Sequence, residues 1–313
     1  MTIAEAMAVF QESGDHAGTA KAWRLLAWTH GTACHFALAA EAQANALEYA
    51  RLAGDVRQQA RAATAYGAAA VFGSTPVSEA IERCEHMVEQ VTGDRHAEGI
   101  LLALLGSLYA MQGSFDRARE LSAQGRSMLD ELGLGVEGVF IDIEAWRIEM
   151  LSGDPMAAER ELRRAYDSLR AVGEKYVLST VAGLLAETLY ALDRIDEVER
   201  LSSLAEELAT DDDVDTQALL RRVRAKILAL EGSFDAAETY AREALEILAP
   251  TDAILLRFGA LLDLAEVRRL AGRETDARAA LDEALDLAEL KGSPVMARAV
   301  QDVLAALRDR SVV

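Results

Sequence analysis

The chain is predicted to be all-α, a right-handed α-solenoid of about seven helix-turn-helix repeats with a period of about 40 residues and a flanking helix at each end. Three observations lead there. Ala makes up roughly a fifth of the 313 residues and Pro only 4. Ala is the best helix former and Pro the worst. A short acidic-aromatic turn recurs at nearly fixed spacing. No stretch alternates apolar and polar residues with period two, which argues against a sheet.

The elements follow in chain order. A helix is expected over 2–12, repeats over about 15–291, and a capping helix over 294–309, as one domain spanning 1–313. The segment around Cys34-His35-Phe36 is the first intra-repeat turn and 73–76 (GSTP) the second. The series continues as Gly113-Ser114-Phe115-Asp116, Gly153-Asp154-Pro155, Asp193-Arg194-Ile195-Asp196, Gly232-Ser233-Phe234-Asp235 and Gly272-Arg273-Glu274. The last four spacings are about 40, 40, 39 and 40 residues. A second class of breaker lies midway: Gly54-Asp55, Gly93-Asp94, 133–135, Gly173-Glu174, 211–215, 250–252 and 292–294. Gly just past a helix and Asp, Ser or Thr just before the next are stop and start signals. Between breakers, apolar residues recur with helical period. After Gly113 they are Phe115, Ala118, Leu121 and Gly125, then Met128, Leu129 and Leu132. A fixed period of helix pairs is the mark of an α-solenoid.

Composition excludes several functions. With 52 Asp+Glu against 32 Lys+Arg the formal charge is -20. Sequence-independent nucleic-acid binding needs cations to neutralise phosphates, so nucleic acid is not expected as a partner, nor is an anionic membrane. The most apolar run, 99–111 (GILLALLGSLYAM), falls short of the roughly 20 residues of a membrane span and reads as a core helix. The first ten residues carry no basic residue, unlike the start of a signal peptide. Cys34 and Cys84 read as reduced, buried thiols, so a cytoplasmic location is expected.

Within units, small and large positions resemble the tetratricopeptide repeat. Leu102, Leu105-Gly106, Tyr109, Gly113, Phe115 and Ala118 stand at its signature positions, as do Trp23, Leu26-Ala27, Phe36 and Ala39. The period is longer than the standard repeat of about 34. The runs 158–162, 178–182, 185–190, 223–229 and 261–267 are similar to the C-terminal tetratricopeptide region of bacterial signalling proteins that carry adenylate/guanylate cyclase and AAA-type ATPase domains. No G-x-x-x-x-G-K-[ST] phosphate loop accompanies them.

Catalytic chemistry is not indicated. Gly133-Leu134-Gly135-Val136-Glu137-Gly138 fits G-x-G-x-x-G but follows a helical run, where a dinucleotide site needs a strand. It reads as an inter-repeat loop. His30, Cys34 and His35 lack the further donors of a metal site, and His86 and His96 read as surface or packing residues. Asp211-Asp212-Asp213 and Glu206-Glu207 read as solvated charge. A calcium loop beginning at Asp211 lacks Gly at its sixth position and has Arg222 at its twelfth. No cofactor or metal is expected, and no enzyme activity.

The resemblance implies that the first helix of each unit lines a concave groove. Counting positions from each turn places Lys21, Arg24, Trp28, Phe72, Phe140, Arg147, Glu187, Tyr190, Arg222, Lys226 and Arg269 there. That set is apolar and aromatic with a modest basic excess, so the acidic surplus is expected on the outer face. Such a groove suits a protein or peptide partner with acidic groups or a C-terminal carboxylate. Trp28, Trp146 and Tyr190 are the anchor candidates. Trp146 stands where the repeat wants a small residue, which also suits a core position. The expected function is a non-catalytic interaction module in signalling or transcription regulation. One alternative is a regulatory arm docking on its own effector domain. Another is a small-molecule-binding solenoid, which would need a closed central pocket with convergent polar groups.

Overall fold

The computed structural model describes residues 2–134 and 137–310. Among these residues there are sixteen helices and no strand. A leading helix, α1 (Ile3–Glu12), precedes seven antiparallel pairs: α2 (His16–Thr32) with α3 (Phe36–Leu52), α4 (Val56–Phe72) with α5 (Val77–Gln90), α6 (Arg95–Gln112) with α7 (Phe115–Glu131), α8 (Gly138–Ser152) with α9 (Pro155–Val172), α10 (Tyr176–Ala191) with α11 (Ile195–Leu208), α12 (Val214–Leu230) with α13 (Phe234–Leu248), and α14 (Ile254–Leu270) with α15 (Glu274–Lys291). The closing helix is α16 (Pro294–Arg310).

The breakers act as their chemistry dictates. Asp15, Asp55, Asp94, Asp154 and Asp213 each accept a hydrogen bond from the backbone N–H three residues on, starting α2, α4, α6, α9 and α12. Gly113, Gly153, Gly173 and Gly292 end their helices with φ between 65° and 96°, which suits a residue without Cβ. From the second pair onward the first helix is the more buried of the two. In α6 nearly every side chain from Leu101 to Met111 is inside. The second helices carry much of the charge, and ion pairs such as Arg163 with Glu197 and Arg126 with Glu161 tie the outer faces of neighbouring units.

One close approach depends on absent side chains. A Cβ on Gly99 would lie 2.9 Å from the Gly125 carbonyl, so α6 and α7 cross backbone to backbone. Further along α6, Gly106 is also small, but the matching residue in α8 is not. There Trp146 is buried and donates its indole N–H to Thr188 Oγ1 on α10 at 2.8 Å. A large indole stands at the position where Gly106 lets α6 close on the Ala118 backbone of α7.

The array also comes back on itself. The intra-repeat turns of the first three units rest on the sixth and seventh units and α16. Asp252 caps α3 through the N–H groups of Phe36 (2.5 Å) and Ala37 (2.6 Å). Lys291, 0% exposed, donates to the carbonyls of Ala70, Gly73 and Thr75 at 2.6, 2.7 and 3.0 Å. Burial works against its charge, but three acceptors match the three N–H donors of an ammonium. Ser293 donates to the Met111 carbonyl at 2.7 Å. Cys34 joins Ala218, Ala244, Leu248, Ala253 and Ala260 in one apolar cluster.

Candidate functional site: the central cavity

Closure of the superhelix turns its concave face into a cavity of about 860 Å³. Its wall draws on every unit, from Trp28 and Phe36 in the first to Phe258 and Leu262 in the seventh, with Val295 and Met296 of α16. Most of the wall is apolar. The Phe36 and Phe72 rings stack with centroids 5.4 Å apart, and Phe140, Ile143, Leu219 and Phe258 continue the lining. Trp28 stands at the rim, 67% exposed.

Among the described residues, 5 carboxylates and 2 guanidinium groups line this wall: Glu144, Glu187, Asp213, Asp215 and Asp263 against Arg147 and Arg222. The modest basic excess expected from counting repeat positions is therefore corrected to an acidic excess. The carboxylates that reverse the balance come from faces and first turns that a regular repeat register does not assign to the groove.

Most of these charges are satisfied in place. Arg222 is paired with Glu187 and, at 2.6 Å, with Asp263. Lys226, behind the wall, reaches Asp263 at 3.1 Å and Glu187 at 3.5 Å. Burial opposes ionisation of Asp263, but Arg222 and Lys226 outweigh it and hold its carboxyl below the usual carboxylate range. The Arg222 guanidinium lies flat on α14 at Gly259, where a Cβ would come within 2.8 Å of it. Arg147, 8% exposed, donates from Nε to Glu144 at 3.2 Å and stacks over Phe72 at 4.7 Å from the ring centroid. Glu144 also accepts from Ser107 Oγ at 2.5 Å.

Two acceptors on the wall are left over. Gln43 is 5% exposed, and its Oε1 has no donor. The Asp215 carboxylate has no hydrogen bond or ion pair among the described residues. Burial and the neighbouring Asp213 push it up to about 6, despite Arg147 and Arg222 nearby.

Of the sequence-derived groove residues, Trp28, Phe72, Phe140, Arg147, Glu187 and Arg222 line the cavity. Lys21, Arg24, Tyr190, Lys226 and Arg269 do not. Lys21 is exposed on α2. Arg24 is half-buried with its Nε unpartnered. Tyr190 is half-buried, donates to Glu266 at 2.9 Å, and lies 5.1 Å from the Lys226 ammonium. Arg269 is half-buried in the last turn of α14. Trp146 adds an edge to the wall, but it is buried and its indole N–H is committed to Thr188. Residues that counting missed include Phe36, Gln43, Glu144, Tyr176, Asp213, Asp215, Phe258 and Asp263. One signal was available. Asp213 alone suffices to cap α12, so Asp215 in its first turn is surplus to helix initiation.

The other candidate chemistry resolves simply. Cys34 and Cys84 are buried free thiols, and burial pushes both up to about 12. No group of three or more His, Cys, Asp or Glu residues could hold a metal ion among the described residues. His86 is exposed beside Glu89, and His96 is half-buried beside Glu137. Asp213 in the 211–215 run serves as the cap of α12. Gly133 follows α7 with a φ of 70°, while Gly135 and Val136 of the G-x-G-x-x-G segment lie outside the described residues. No helix among the described residues is long and apolar enough to cross a membrane.

No protein-family model and no curated protein matches the chain. Among solved structures, it is similar to a Rap protein complexed with Competence and Sporulation Factor, at 14% identity and a TM-score of 0.51. That match covers 85% of this chain and 81% of the other. It is also similar to the apo form of the quorum sensor NprR from B. thuringiensis, at 13% identity and a TM-score of 0.47, covering 92% of this chain and 74% of that one. The fold is a tetratricopeptide-like helical repeat.

Proposed function

We propose that this chain is a non-catalytic binding module that holds a short, mostly apolar segment of a protein or peptide partner in its central cavity. The observation that carries the reading is the wall itself. It is apolar, about 860 Å³ in volume, and assembled from both ends of the array. That volume falls within the range of about 300–1,000 Å³ typical of ligand sites. A ligand seated there touches the first and the seventh units together, so binding favours the closed superhelix by mass action. The Rap protein of similar fold was crystallised in complex with Competence and Sporulation Factor, which agrees with a binding role for such an array. The resemblance to repeat regions of cyclase and ATPase signalling proteins suggests the use of such a module in signalling, where occupancy would be read by an effector.

The test compares the full chain with Ala65→Trp, which places an indole at a half-buried wall position. A displayed library of random short peptides is selected on the wild type, and the enriched peptides are titrated against both proteins by fluorescence anisotropy. Binding to the wild type that Ala65→Trp abolishes supports the reading. Equal binding to both proteins removes the cavity from it.

A further inference from the structure

We infer that the occupant of the cavity carries a cationic group, an ammonium or guanidinium, seated on the carboxylate of Asp215. This rests on the cavity being the binding site and names the chemistry of what it takes. Nearly every charge inside the apolar wall already has a partner. Arg222 is held by Glu187 and Asp263, and Arg147 by Glu144 and the Phe72 face. Asp213 is committed to the Thr216 N–H at the start of α12. Asp215 remains, on the same wall, with no donor of its own among the described residues. The Gln43 carbonyl oxygen is a second acceptor on this wall without a donor, on a side chain 5% exposed. A half-buried carboxylate in an apolar wall with no hydrogen bond or ion pair is costly. A ligand that brings N–H donors and a positive charge removes that cost, whereas an anionic ligand adds to it. The acidic excess of the wall points the same way and reverses the acidic-peptide expectation drawn from sequence.

Three probes with one apolar body and different heads separate the possibilities: phenethylamine, phenethyl alcohol and hydrocinnamate. Each is titrated by ligand-observed NMR into the full wild-type chain, Asp215→Asn and Ala65→Trp. The amine should bind wild type about tenfold more tightly than the alcohol, as a charge-assisted hydrogen bond implies, and hydrocinnamate most weakly. Asp215→Asn should reduce the amine to the level of the alcohol, and Ala65→Trp should abolish all binding. Equal binding of the three probes, still lost in Ala65→Trp, overturns the cationic assignment and leaves the cavity reading standing. Binding that ignores Ala65→Trp, or none by any probe, overturns both. Asp215→Asn should melt at or above the wild-type temperature, because it removes an unpartnered charge. A variant that fails to fold shows that Asp215 holds the structure together, and that also overturns the assignment.

Discussion

The carboxylate of Asp252 receives the backbone N–H of Phe36 at 2.5 Å across 216 positions of sequence. His35, the residue at the N-cap position of α3, supplies no side-chain cap of its own. The first unit therefore completes a helix start only when the loop between the sixth and seventh units arrives. In an open solenoid each repeat meets its neighbours alone, and stability is close to a sum of nearest-neighbour terms. Here the ends meet, and the cavity exists only while they do.

Replacing Asp252 with Ala should cost about 1–2 kcal/mol, the usual loss of a helix cap. Urea denaturation gives that number. Small-angle scattering should also show a larger radius of gyration, because the contact joins the two ends. A loss of stability with unchanged scattering would mean that the cap is local and that other contacts hold the closure.

Lys291→Met keeps the aliphatic stem but leaves three buried carbonyls without their donor, and should cost about 3 kcal/mol. Lys291→Arg should rescue little, since a planar fork does not fit a three-carbonyl cage built around a point ammonium. Hydrogen exchange should rise first in the α4–α5 turn, where Gly73 and Thr75 supply two of the acceptors. Protection unchanged in that turn would show that the ammonium is not what pins it.

Much of this fold is written locally. The Gly-Asp breakers fix helix starts and stops through bonds spanning three or four residues, so a reader of sequence sees them. The fold class follows from their period. The closure is not legible in the same way, because Asp252, Lys291 and Ser293 reach partners far away in the chain. Nothing in the local pattern around Lys291 separates it from a solvated lysine at a helix end. The site is legible in part for a related reason. Counting repeat positions treats all units as equal, and it picks Arg147 and Arg222, which line the cavity. It misses Phe36 and Asp215, which border the cavity from the starts of α3 and α12.

Gly259→Ala should displace the Arg222 guanidinium, whose atoms lie within 2.8 to 3.1 Å of the new Cβ. Glu187 and Asp263 then lose a buried partner, at a cost of about 2–4 kcal/mol. In an Arg222→Met background the same change should cost well under 1 kcal/mol, since the flexible thioether moves aside. The double-mutant cycle measures this coupling. Additive effects of the two substitutions would refute the packing of Arg222 on α14.

Asp215 contributes a pH dependence, read as the stability of wild type minus that of Asp215→Asn. Subtraction matters because the chain carries 52 carboxylates, most of which also titrate. Burial and Asp213 raise the folded carboxyl from 3.8 to about 6, with Arg147 and Arg222 opposing and Glu187 adding to the rise. A carboxyl raised in the folded state binds its proton more tightly there than in the unfolded chain. The ionised form therefore destabilises, and stability falls as pH rises from about 4 through about 6. Near pH 4 the two proteins should be equally stable. Above pH 6 the wild type should be the weaker by roughly 1–2 kcal/mol, below the full linkage value because the carboxylate opens on the cavity. Phenethylamine at saturation should narrow that gap by compensating the charge. Thermal melts at five pH values with and without the amine provide the measurement. A difference curve that is flat, or that rises with pH, would mean the carboxylate already has a partner in the folded chain.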